Sequence, residues 1–167
     1  MLENSELLIM LDKLISNWEN EIVEFKEANN DFDKDKIGQY FSAISNEANL
    51  HNLQFGWLVF GVRNKDRTIV GTNYRNTEGL MKLKQEISIN TTGGLSFIEI
   101  YEVYKEIDGY KKRIVMMQIP SAVAGIPTGW KNHYYGRNGE SLNALSMEEM
   151  DQIRIKIGLN KLFLVQQ

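Results

Sequence analysis

The sequence predicts a single domain of the α+β class, in which a central mixed β-sheet is flanked by about four helices. Three observations carry this. Apolar residues recur at helical spacing in four separated segments, short runs of alternating or continuous apolar residues lie between them, and the connections mix tight turns with helical crossovers. That mixture fits an α+β or mixed α/β layering and not a doubly wound parallel sheet. At 167 residues the chain fits one domain spanning 1–167, long enough to bury about two-thirds of the surface its unfolded form exposes.

Leu7, Leu8, Leu11, Leu14 and Ile15 follow Ser5, a helix-capping residue, and predict an amphipathic helix ending near Asn17. In "EIVEFKEA" the period changes: Val23 and Phe25 alternate with Glu24 and Lys26, the pattern of a strand with one face buried. After an Asn/Asp-rich loop, Ile37, Tyr40, Phe41, Ile44 and Ala48 form a second helical stripe that runs out near "SNEANLHN". "WLVFGV", at 57–62, is an almost continuous apolar run and predicts a central strand covered on both faces. "NKDR" then supplies a turn and "TIVGTN" a returning strand, giving a hairpin.

Leu80, Leu83 and Ile87 mark a third helix behind Thr77, stopped by "TTGG". "LSFIEIYEVYK" and "KRIVMMQI" read as two strands joined across Asp108 and Gly109, and Pro120 and Pro127 bracket the next loop. "HYYGRNGES" is a short strand and a glycine turn, and Ser146 to Glu149 carries the capping-box signature of a last helix. The apolar end "NKLFLVQQ" has no cap signal. It either docks on the domain or belongs to a longer protein from which this chain is a part.

Composition narrows the function. The chain has no cysteine, which excludes disulfides, thiol nucleophiles and cysteine-ligated zinc, and two isolated histidines, His51 and His133, argue against a histidine metal site. The chain has neither a run of eighteen apolar residues nor a signal-peptide pattern, which predicts a cytoplasmic protein with no membrane partner. Net charge is −3, but residues 1–50 carry 4 Lys/Arg against 11 Asp/Glu and residues 51–167 carry 15 against 11. Lys105, Lys111, Lys112, Arg113, Lys131 and Arg137 fall in one third of the chain, so the surface can be polarised. "GIPTGWK" lacks the spacing of a phosphate loop, "GRNG" and "TTGG" are turn chemistry, and no Ser/His/Asp order or helical His pair is present.

The ordered set "ENEIVEFKEA", "YFSAISNEANL", "WLVFGVRNKDRTIVGT", "VMMQIP" and "HYYGRNGESLNAL" resembles the AlbA-like domain of the Schlafen superfamily. It is similar especially to the bacterial transcriptional-regulator-like proteins and divergent AAA-type, ATP-binding proteins of that superfamily. The resemblance runs from about Asn17 to Ile157. It implies a mixed α/β domain related to nucleic-acid-binding folds, one that in bacteria often opens a longer chain with an appended C-terminal domain such as a winged helix. It also implies, in the ribonucleases of that superfamily, a metal-dependent cluster of two glutamates and one aspartate. Glu19 and Glu24 match the two glutamates by motif, whereas Arg63 stands where the aspartate follows "GV", and the nearest carboxylate there is Asp66. Asp66 is about 10 Å further along an extended chain and on its other face, so it replaces the aspartate only if the turn folds it back.

The leading expectation is a module that binds DNA or RNA through the phosphate backbone, with contacts from Lys26, Lys105, Lys111, Lys112, Arg113, Lys131, Arg137, Asn138 and Ser141. The guanidinium of Arg137, beside a glycine turn, suits a bidentate phosphate contact. The second is an endoribonuclease using Mg or Mn on Glu19 and Glu24, with Lys26 or Arg137 against the developing phosphate charge. The third is a sensor that binds a nucleotide or a protein. A homodimer fits any of the three. Against the enzymatic role stands the plainer one, in which Glu24 and Lys26 are neighbouring solvated charges on a strand.

Overall fold

A computed structural model describes residues 2–16 and 22–165, with 157–165 as backbone. Four helices and two sheets form one α+β domain, and among the described residues no helix is long and apolar enough to cross a membrane. Helix α1 (Asn4–Ser16) leads to strand β1 (Val23–Lys26), helix α2 (Lys34–Leu50) and strand β2 (Phe55–Phe60). Helix α3 (Thr77–Asn90) is followed by strands β3 (Glu99–Ile107) and β4 (Tyr110–Pro120), then by β5 (Gly129–Trp130), β6 (His133–Asn138), β7 (Ser141–Ala144) and helix α4 (Met147–Val165).

The central sheet has the order β1-β2-β4-β3, with β1 parallel to β2 and the other pairs antiparallel. The apolar run of β2 explains its inner position. Trp57 and Val59 join Leu7, Leu11, Val23 and Phe25 under α1, while Leu58 and Phe60 face the opposite way, into the core with α2 and α3. A strand buried on both faces has no polar side to show, which is why the run does not alternate.

The hairpin expected from "TIVGTN" reduces to a single bridge between Val62 and Ile69. Gly61 sits at φ +99, and its carbonyl accepts from Val70 and Gly71 at 2.8 and 2.9 Å. A ring closed that tightly carries the chain off the sheet, and the apolar β4 takes the vacated edge of β2.

Helix α2 continues through the polar stretch where its stripe was expected to fade. Ser42, Ser45, Asn46 and Asn49 are buried; Ser45 Oγ pairs with Thr128 Oγ1 at 2.8 Å, and the other three bond the backbone of the segment around 122–135. Ser42 donates to the Thr128 carbonyl at 2.7 Å, Asn46 donates to the carbonyls of Thr128 and Tyr135 at 2.9 Å each, and Asn49 donates to that of Ala122 at 2.7 Å. This polar face docks a second, three-stranded sheet, β5-β6-β7, which the sequence pattern had folded into one sheet. The capping box forms as read, with the Glu149 amide donating to Ser146 Oγ at 3.1 Å and the Ser146 amide to Glu149 Oε1 at 3.2 Å.

Candidate functional site

Glu24 and Lys26, two residues apart on β1, point to the same side of the sheet, toward α2 and β6. Arg137, on β6, meets them there. Its Nη2 donates to Glu24 Oε2 at 2.7 Å, its Nη1 to the Val23 carbonyl at 3.0 Å, and its backbone amide to Glu47 Oε1 at 3.1 Å. Lys26 Nζ lies 3.3 Å from Glu24 Oε1 and 5.1 Å from the ring centroid of Tyr40. The arrangement is a buried ion cluster: the side chains of Arg137 and Glu24 are 2% and 3% exposed, and Lys26 forms its partly open rim at 30%.

Burial pushes the Glu24 carboxyl up from its ordinary value, with the charges of Arg137 and Lys26 pulling it back. A protonated Glu24 would lose its charge pair with a guanidinium that keeps its proton at any working pH, so the ionised pair is the state this geometry supports. For Lys26, burial acts downward, but hydrogen bonding to Tyr40 and the Glu24 charge outweigh it and raise its pKa.

Only part of the carboxylate cluster implied by the resemblance falls among the described residues. Glu19 lies outside the described residues. Both oxygens of Glu24 already face a cation, and among the described residues no three carboxylates or histidines come together as ligands. Arg63, in the place of the aspartate, bonds Glu27 at 3.3 Å and Asp66 at 3.1 Å. Asp66 is thus turned to Arg63 and to the Thr68 amide, which together hold its carboxyl below the usual range. Among the described residues Glu24, Glu27 and Asp66 each face a cationic side chain, and a hard cation would have to compete with it.

The remaining basic residues separate into two kinds. Arg113, expected as a phosphate contact, spends its fork inside the protein, on Glu102 at 2.9 and 3.1 Å and on the carbonyls of Thr72, Tyr74 and Arg75. Arg137, expected to face a phosphate, faces Glu24. Lys105 pairs with Asp12 at 3.6 Å and Lys131 with Asp35 at 2.7 Å. Asn138 and Ser141 are exposed partners across the β6–β7 turn. Lys111 and Lys112 differ: among the described residues neither has a carboxylate within ion-pair distance. Their ammonium groups lie over tyrosine rings instead, Lys111 at 4.7 Å from Tyr104 and Lys112 at 5.7 Å from Tyr110.

Both lysines line an open, polar cleft of about 540 Å³, shared with Asn29, Asn30, Thr72 and Asn73. The cleft is shaped by backbone that only a few residues tolerate: Asn29 at φ +32 and Gly71 at φ +81, with the Asn73 amide donating to the Asn29 carbonyl at 2.7 Å. The asparagines were not singled out from the sequence, nor was Glu47, which is buried in α2 and receives the Arg137 amide. The signal for Glu47 was present: a carboxylate one turn from Ile44 and next to Ala48 sits on the helix's buried side.

The family model described as Schlafen, AlbA_2 matches residues 19–146. Among solved structures, the crystal structure of the DIP2311 protein from Corynebacterium diphtheriae is similar over 90% of this chain, with a TM-score of 0.59 at 16% identity. This chain spans 28% of that protein's length, and at that identity the likeness is one of fold. No curated protein matches the sequence. A family model that takes in β1, both sheets and the Arg137 turn covers well over half the sequence, and on that ground the chain belongs to the Schlafen, AlbA_2 family.

Proposed function

We propose that the domain binds nucleic acid through its phosphate backbone, as the DNA- or RNA-holding module of a transcriptional-regulator-like protein. The observation that carries this reading is the pair of lysines Lys111 and Lys112, neither of which has a carboxylate within ion-pair distance among the described residues, on the rim of an open cleft lined by asparagine amides. In a chain of net charge −3, cations left unneutralised at one place concentrate the positive field there. Asparagine side chains and backbone amides add neutral donors, which position a backbone without reading bases. Family membership supports the same direction.

The metal-dependent endoribonuclease needs Glu24 free to ligate. Its two cationic partners favour a structural carboxylate, so the binding reading is preferred.

Titrating a labelled oligonucleotide at several salt concentrations tests the proposal. Two phosphate contacts give a slope of log K against log salt of about −1.8 on a duplex or about −1.4 on a single strand, and Lys111→Ala/Lys112→Ala flattens it by about that amount. Absence of binding at low salt, or an unchanged slope in the double variant, would refute the reading.

A further inference from the structure

We propose that the hairpin edge of the Lys111/Lys112 cleft selects single-stranded nucleic acid, stacking an unpaired base on Tyr110 while Lys112 holds the adjoining phosphate. The inference rests on the nucleic-acid reading above and adds the strandedness of the ligand.

The β3–β4 hairpin reverses at Asp108 and Gly109, both at positive φ, and register pairs Ile107 with Tyr110, Lys105 with Lys112, and Tyr104 with Arg113. Alternation along the strands therefore puts Tyr110 and Lys112 on one face of the hairpin and Tyr104 and Lys111 on the other. Each face carries one ring and one ammonium in contact. A buried tyrosine in this fold would be core; these are not. Tyr110 is 70% exposed and Tyr104 is 38% exposed.

An exposed aromatic beside an uncompensated cation is the elementary unit of a single-strand platform: the ring takes a base face and the cation takes the phosphate. The existing cation–ring contact at an exposed site is weak, so a base can displace the ammonium from the ring and release it toward the backbone. A duplex cannot use this unit. Its base faces are covered by one another, and only its phosphates remain to meet Lys111 and Lys112.

The test uses the full chain and three fluorescein-labelled ligands: a mixed-sequence DNA strand, the RNA strand of the same sequence, and the DNA duplex made with its complement. At least one single strand should bind about tenfold tighter than the duplex. Tyr110→Ala should lower single-strand affinity about tenfold and leave duplex affinity unchanged, while Tyr110→Phe should retain binding. Because Tyr110 is largely in solvent, an unchanged melting curve checks that the fold is intact. Duplex binding as tight as that of both single strands, or single-strand affinity indifferent to Tyr110→Ala, overturns the stacking inference and leaves phosphate binding standing. Loss of all binding in the unaltered chain refutes the nucleic-acid reading itself.

Discussion

Replacing Arg137 by methionine should destabilise the domain by about 3–5 kcal/mol, because it leaves the buried Glu24 carboxylate with one cation on its exposed rim. The separations set the scale. At an effective dielectric constant of 20, a charge pair at the 2.7 Å of Arg137 and Glu24 attracts by about 6 kcal/mol, and one at the 3.3 Å of Lys26 and Glu24 by about 5 kcal/mol. Most of that gain offsets the cost of taking the charges out of water, so the pair adds little net stability, whereas losing one partner leaves the desolvation cost uncompensated. Glu24→Gln should cost a similar amount by removing the carboxylate charge that the Arg137 Nη2 meets. The double variant Glu24→Gln/Arg137→Met should recover most of the loss, with Lys26 free to turn to solvent. Urea unfolding of all four proteins gives the coupling directly, and in thermal melts each single variant should fall by about 10 °C for a chain of this size. If each single change costs under about 1 kcal/mol, or if the two losses simply add in the double variant, the ion cluster is not the structural unit described above. A carboxylate held for catalysis predicts the opposite sign, since functional groups of that kind are usually a burden on stability.

Two further outcomes follow from packing and titration. Gly38→Ala would raise the helix propensity of α2 by about 1 kcal/mol, yet its Cβ would lie 2.1 Å from the ring of Trp130, so thermal melting should show a net loss of about 1–3 kcal/mol; a gain would show that the ring can move aside. Asp35 is held below its usual range by bonds from Lys131 and from Trp130, so it contributes stability above the ordinary carboxylate range and loses it as pH falls through its depressed value. Urea midpoints measured from neutral to strongly acid pH should therefore fall less steeply in Asp35→Asn than in the unaltered chain, and parallel curves would refute the assignment.

What could be read from residues in order was local. The buried run of β2, the turn at Asp108 and Gly109, and the capping box at Ser146 each carry their cause within a few positions, and each forms. The polar half of α2 was illegible for the opposite reason: Ser42, Asn46 and Asn49 find their partners 73 to 93 residues away, so in sequence they look like a helix dissolving into a loop. The arginines show the same limit. Nothing near Arg113 or Arg137 tells whether its guanidinium meets solvent, and the deciding carboxylates, Glu102 and Glu24, arrive from other strands.

The hydrogen-bonded seam along α2 has a consequence for how this fold tolerates change. Apolar surfaces can slide and still be buried, but Ala122 and Thr128 are each gripped by named donors and acceptors on successive turns of the helix. A one-residue insertion within α2 between Ser42 and Asn49 would rotate the donors on one side of it away from their partners. Between Ala122 and Thr128, Val123 and Ile126 are about half exposed and a backbone bond, from the Gly125 amide to the Ile153 carbonyl at 2.9 Å, ties the span to α4, so a change of length there costs that bond while the smaller sheet keeps its seat.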